Sequence, residues 1–124
     1  PENMPGVSFI PILTGDTNAK IRKEVFYEYY WEYDFPMTPT VFGMRTDQYK
    51  YIKYHGIWDR NELYDLKNDP DEMYNLIAEP DKQDIAKSMS AAIYDWMQAT
   101  NGMNIPLKRT VKYRFGDYKH KNEH

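Results

Sequence analysis

Apolar and polar positions alternate most strongly over residues 24–33, EVFYEYYWEY. Val25, Tyr27, Tyr29, Trp31 and Tyr33 interleave with Glu24, Phe26, Glu28, Tyr30 and Glu32. A period of two with this aromatic enrichment predicts a strand. Glu24, Glu28 and Glu32 would also share one helical face, but like charges at that spacing repel on a helix, so the strand is favoured. DFPMTPT, residues 34–40, carries two prolines and reads as loop. VFGMRT (41–46) and YKYIKYH (49–55) flank Asp47-Gln48 and predict a hairpin, although that pair is not the preferred Asn-Gly turn. In the second of these strands Tyr49, Tyr51, Lys53 and His55 share one face, and Lys50, Ile52 and Tyr54 the other. GIWDRN then reads as a turn and ELYDL as a short fourth strand.

The period changes after residue 80. Ile85, Met89, Ala92, Ile93 and Trp96 form one apolar stripe of a helix over 80–100, closed by Asn101-Gly102. Burying its four large members is worth about 1.5–3 kcal/mol each, as an upper bound. Such a helix needs a partner, and the sheet is the only candidate. The expected fold class is therefore α+β: a small four-stranded antiparallel sheet packed on one C-terminal helix. Asp69-Pro70-Asp71-Glu72 adds a helix-start signature, with Asp69 as cap, Pro70 at the first helical position and Glu72 reaching back. It predicts a single helical turn ending near Asn75. Residues 1–20 read as an irregular lead-in whose apolar run, VSFIPIL, is too short for a stable helix and needs something to pack on.

With 124 residues, one domain is expected. Residues 105–124 carry six Lys/Arg against two acids, a balance of +4 that leaves −7 on the first 104. The organisation is therefore a folded unit at 1–104 and a basic tail at 105–124, and a solvated extension is the ordinary reading of such a tail. The overall charge of −3 argues against a general nucleic-acid binder. No apolar run is long enough for a membrane span. The chain opens at Pro1 rather than Met, so the lack of a signal peptide decides nothing about export. Absence of cysteine removes disulfides, Cys-based zinc sites and a Cys nucleophile from this chain. Aromatic residues reach 16%, which suits a small core, an interface or a sugar-stacking surface.

Little of this assembles into a reaction centre. There is no Gly-rich phosphate loop, HExxH or nucleophile elbow, and two of the three histidines lie in the tail. Five carboxylates fall within NELYDLKNDPDEMYNL, residues 61–76. A calcium loop would need a Gly at the sharp turn and a bidentate Glu at the end, and neither is in register. Turn and capping chemistry accounts for the acids better. Glu28 and Glu32 would stand ~13 Å apart along a strand, beyond the spacing of a glycosidase pair. The loop at 55–60 combines His55, Gly56, Trp58 and Arg60. That is either a turn with a core Trp or the rim of a ligand cleft, since Trp and Arg are common recognition anchors.

MPGVSFIPILTGD, FYEYYWEY, GMRTDQYKYIKY, ELYDLKNDPDEMYNL and a helix ending IYDWM follow one another in an order and spacing that resembles a known family. Over roughly residues 4–100 the chain resembles the C-terminal subdomain of formylglycine-dependent (type I) sulfatases of the alkaline-phosphatase-like superfamily. The pairing of R-T-x-x-Y-K with E-L-Y-D-L-x-x-D-P-x-E-x-x-N-L is the specific part. It looks most similar to bacterial N-acetylglucosamine-6-sulfatase-like glycan sulfatases. The resemblance implies a small sheet and helix docked in cis on an N-terminal catalytic domain that hydrolyses sulfate esters of glycans. It also implies a formylglycine nucleophile and a calcium ion in that other domain, since no C/S-x-P-x-R motif occurs here. No catalytic or metal residue carries over to this chain. The role carried over is completion of the substrate cleft, with Tyr30, Trp31, His55 and Trp58 as cleft-side candidates, while Arg45 and the ELYDL acids join strand to turn. A periplasmic or extracellular location and some self-association through an undocked apolar face are expected. The alternative is a stand-alone, aromatic-rich carbohydrate-binding module that uses its basic tail on anionic glycans.

Overall fold

The computed structural model describes residues 6–19, 22–31, 38–56 and 60–104. Four antiparallel strands lie in sequence order: β1 (Glu24–Tyr29), β2 (Thr40–Thr46), β3 (Tyr49–His55) and β4 (Glu62–Asp65). A one-turn helix, α1 (Ile10–Leu13), precedes them and the main helix, α2 (Gln83–Ala99), follows. This is the expected α+β arrangement. β1 is shorter than the alternation suggests: Tyr30 and Trp31 leave the ladder, and residues 32 and 33 lie outside the described residues.

Alternation sorts the sheet into two faces. Phe42, Met44, Tyr51 and Leu63 project to one side and meet Ala86, Met89, Ile93 and Met97 of α2, all buried. The buried seam of α2 is thus turned slightly from the expected stripe, with Ile85, Ala92 and Trp96 on its flanks. Trp96 is drawn aside because it stacks on Phe26 of β1, with centroids 5.0 Å apart and planes within 5°. Met97 fills the space this leaves, as an unbranched side chain can. The helix closes as Asn101-Gly102 predicts. Asn101 takes φ 62 and the Gly102 amide donates to the Met97 carbonyl at 2.8 Å, the Schellman arrangement that satisfies a terminal carbonyl.

The hairpin turns tightly without Asn-Gly because Thr46 supplies the missing ties. Its hydroxyl accepts from the Tyr49 amide at 2.9 Å and donates to the Tyr49 carbonyl at 3.2 Å. The expected helical turn after Asp69 does not form. Glu72 adopts φ 55, a left-handed conformation that ends any helix, and its carboxylate pairs with Lys50 of β3. Asp69 accepts from the Tyr74 amide at 2.9 Å, so it caps a turn rather than a helix. A tertiary ion pair has overridden a local capping signal. α1 does form one turn, yet none of its residues is buried within the chain.

Ile93 is 1% exposed at the centre of the helix–sheet seam. Ile93→Ala should cost about 2–5 kcal/mol of unfolding free energy, read as a fall in urea midpoint. Gln98→Ala, on the exposed side of α2, should stay within about 0.5 kcal/mol of the parent.

Candidate functional site

Antiparallel pairing brings several chain segments to one end of the sheet. Tyr29 pairs with Val41 and Thr40 pairs with His55, so Tyr30 and Trp31, the entry to β2 and the exit of β3 are neighbours. The Trp31 amide donates to Thr40 Oγ1 at 3.1 Å, and Thr40 is only 2% exposed. On the other side Asn61 closes the 55–61 connection. Its carbonyl oxygen accepts from the Tyr54 amide at 3.2 Å and its NH2 donates to the Tyr51 hydroxyl at 3.3 Å. The chain leaves β1 and enters β2, and leaves β3 and enters β4, at this end of the sheet.

Of the four candidates, three are described. His55 ends β3 with its ring exposed. Trp31 is half-buried beside Thr40. Tyr30 turns toward the helix: its hydroxyl lies 3.0 Å from both the Gly102 carbonyl and Glu28 Oε2, which share its one proton. Its ring meets Phe42 edge-on at 5.9 Å. Burial, then the Glu28 carboxylate, pushes the Tyr30 phenol above its ordinary value. Tyr30 therefore ties the helix end to β1, and its phenol is held protonated. Trp58 lies outside the described residues. Periodicity gave no warning of Thr40 and Asn61, which brace this end, because a buried hydroxyl and a loop amide leave no pattern.

Four of the five acids of residues 61–76 are engaged in structure: Glu62, Asp65, Asp69 and Glu72. Asp65, 7% exposed, accepts from the Asn68 NH2 at 2.9 Å and from the Lys67 and Asn68 amides at 3.1 and 3.2 Å. Led by the Asn68 side chain, these bonds hold its carboxyl below the usual range against the opposing effect of burial. Glu62 accepts from the Tyr54 and Tyr64 hydroxyls, each at 2.9 Å. Asn75 is the hub of the segment: its oxygen accepts from the Leu63 and Ile77 amides, both at 3.0 Å, and its NH2 donates to the Asn61 carbonyl at 3.2 Å. Among the described residues no three His, Asp or Glu side chains converge on one point. Among them, too, no helix is long and apolar enough to cross a membrane.

Residues 1–99 match the family described as N-sulphoglucosamine sulphohydrolase, C-terminal. An N-acetylglucosamine-6-O-sulfatase of Bacteroides thetaiotaomicron is 29% identical over 119 residues, 92% of this chain and 21% of the relative. A Delta 4,5-hexuronate-2-O-sulfatase of the same organism is 34% identical over 98 residues, 78% of this chain and 20% of the relative. A protein solved in complex with its substrate D-glucosamine-2-N,6-O-disulfate superposes with a TM-score of 0.69 at 26% identity, covering 88% of this chain and 22% of that one. The chain spans about one-fifth of the length of the curated relatives it matches.

Because the folded pKa of Asp65 is lowered, its contribution to stability is full above the unfolded carboxyl value and is lost as pH falls through the folded one. Asp65→Asn should therefore lower the melting temperature near neutrality and flatten its decline on acidification. Melting curves collected from neutral pH to well below the ordinary Asp pKa check both effects.

Proposed function

Because the chain belongs to the N-sulphoglucosamine sulphohydrolase C-terminal family, we propose that it is the C-terminal part of a sulfatase acting on sulfated glycans. The carrying observation is the family match over residues 1–99 by a chain that spans about one-fifth of its relatives. On this reading sulfate ester hydrolysis needs the remaining polypeptide. A formylglycine nucleophile and calcium belong there, and this part alone is inactive. The relatives named above are sulfatases, which leaves the stand-alone carbohydrate-binding reading without support. A periplasmic or extracellular location goes with the same proposal.

The contribution of this part is to complete the wall of the substrate cleft with the end of the sheet. His55 supplies an exposed imidazole at a strand end, where it can donate to a sugar hydroxyl or a sulfate oxygen. Trp31 supplies aromatic surface near it, with its backbone held in place by Thr40, and Trp58 is the second aromatic candidate from the sequence. Arg60, exposed at the entry to β4, brings a guanidinium suited to bidentate sulfate recognition. These groups bind and orient.

The full-length polypeptide should release sulfate from sulfated glycan fragments, and residues 1–124 alone should release none. His55→Ala and Trp58→Ala in the full-length protein should raise KM or shift selectivity among sulfated sugars by about tenfold, the loss of roughly 1.4 kcal/mol of binding. Unchanged turnover and selectivity in both variants would remove this end of the sheet from the cleft.

A further inference from the structure

One flank of α2 faces β1, where Trp96 stacks on Phe26. Along the other flank a groove of about 520 Å³ opens between the helix and the entry to β4, within the size range of small-ligand sites. Ala86 and Ala91 keep the helix wall low, and Tyr51 and Asn61 form the sheet wall. The polar groups here are not used up on one another. Tyr51 is 3% exposed; its hydroxyl accepts from the Asn61 NH2 at 3.3 Å, and its own proton has no acceptor among the described residues. The Gln83 NH2 donates to the Ile77 and Glu79 carbonyls at 2.8 and 3.1 Å, which leaves its side-chain oxygen to accept. Ser90 adds a hydroxyl. Two cations stand at the rim. Lys53 is held over the half-exposed Tyr94 ring, 5.1 Å from its centroid, and Lys87 reaches only Asp84, at 3.7 Å between exposed side chains. A contact that long and that exposed leaves the ammonium available. Among the described residues no carboxylate lines the groove.

We infer that this groove on the α2 flank binds a sulfated sugar unit of a glycan chain. Lys53 and Lys87 supply point charges for its sulfate. Tyr51, Asn61, Gln83 and Ser90 supply the mixed donors and acceptors that ring hydroxyls need, and Tyr94 supplies an aromatic surface with a polar tip. The inference rests on the function proposed above and deepens it by adding a binding site for the same class of ligand. Asn61 links the two regions: it lines the groove and also accepts from the Tyr54 amide beside His55. A chain held at the end of the sheet can therefore continue along the helix. A bare anion would use the two cations alone and leave the hydroxyls and amides between them without a role.

Surface plasmon resonance of the full-length polypeptide on an immobilised heparin-derived tetrasaccharide tests this. Lys53→Gln and Lys87→Gln remove the two cations. Ala91→Glu, at an exposed position, puts a carboxylate on the groove wall. Lys67→Gln, on the exposed turn after β4, makes the same charge change elsewhere. Each lysine variant of the groove should raise Kd about fivefold and Ala91→Glu about tenfold or more, with Lys67→Gln at the parental value. The chemically desulfated tetrasaccharide should bind about tenfold more weakly than the sulfated one. If Ala91→Glu lowers the melting temperature, the two lysine variants decide. Parental affinity in both of those, or an equal loss in Lys67→Gln, would overturn the inference. So would equal competition by inorganic sulfate or by a polyglutamate peptide, which would make the groove a general anion site. Sulfate release with binding indifferent to the groove variants would sink the groove and leave the proposed function. Groove-dependent binding by a polypeptide that hydrolyses no sulfated glycan would sink the proposed function and leave the groove standing.

Discussion

The side chain of Asn75 holds together the half of the molecule that strand pairing alone leaves unfinished. β4 is an edge strand of only four residues, and its outward amides need partners that no fifth strand supplies. Asn75 accepts from the amide of Leu63, the most deeply buried residue of the sheet, and from Ile77, while donating to Asn61. One amide group thereby fastens the segment after β4 along the strand's free edge and fixes where the chain starts toward α2. An exposed edge becomes a covered one, and Leu63 can sit under the helix without an orphaned backbone donor.

The two sequence signatures are parts of this same clamp. In R-T-x-x-Y-K, Thr46 closes the hairpin on Tyr49 and Lys50 pairs with Glu72. In the second signature Asp65 builds the turn after β4, the Leu66 amide reaches the Gln48 carbonyl at 2.7 Å, and Glu72 and Asn75 anchor the return. Carboxylates that look like a reaction centre in the linear sequence are instead distributed, Glu62, Asp65, Asp69 and Glu72 each to its own donors. What the clamp achieves is a sheet whose one end gathers Trp31, Thr40, His55 and Asn61.

Much of the fold was legible because strands and the helix differ in period. The faces of β3 and the stop at Asn101 follow from side-chain alternation and from the left-handed preference of Asn. The turn at 69–72 was misread as a helix start because Asp-Pro-Asp-Glu satisfies every local rule for one, while the ion pair with Lys50 that overrides them joins residues far apart in sequence. The rotation of α2 was hidden for the same reason, since only the tertiary stack of Phe26 on Trp96 sets it. At the sheet end, His55 and Trp31 could be placed from strand boundaries. Tyr30 could be placed too, but not its hydroxyl bond to Gly102, 72 residues away.

The central claim is that a structurally clamped sheet presents its strand ends to a sulfated sugar held mainly by another part of the polypeptide. Hydrogen–deuterium exchange of the full-length protein with and without a sulfated glycan fragment tests it most directly. The account predicts added protection around residues 31–40 and 55–61 on ligand binding, with the 62–76 clamp already protected and unchanged. Ligand-induced protection confined to the clamp acids or to α2, with the strand ends unaffected, would contradict it.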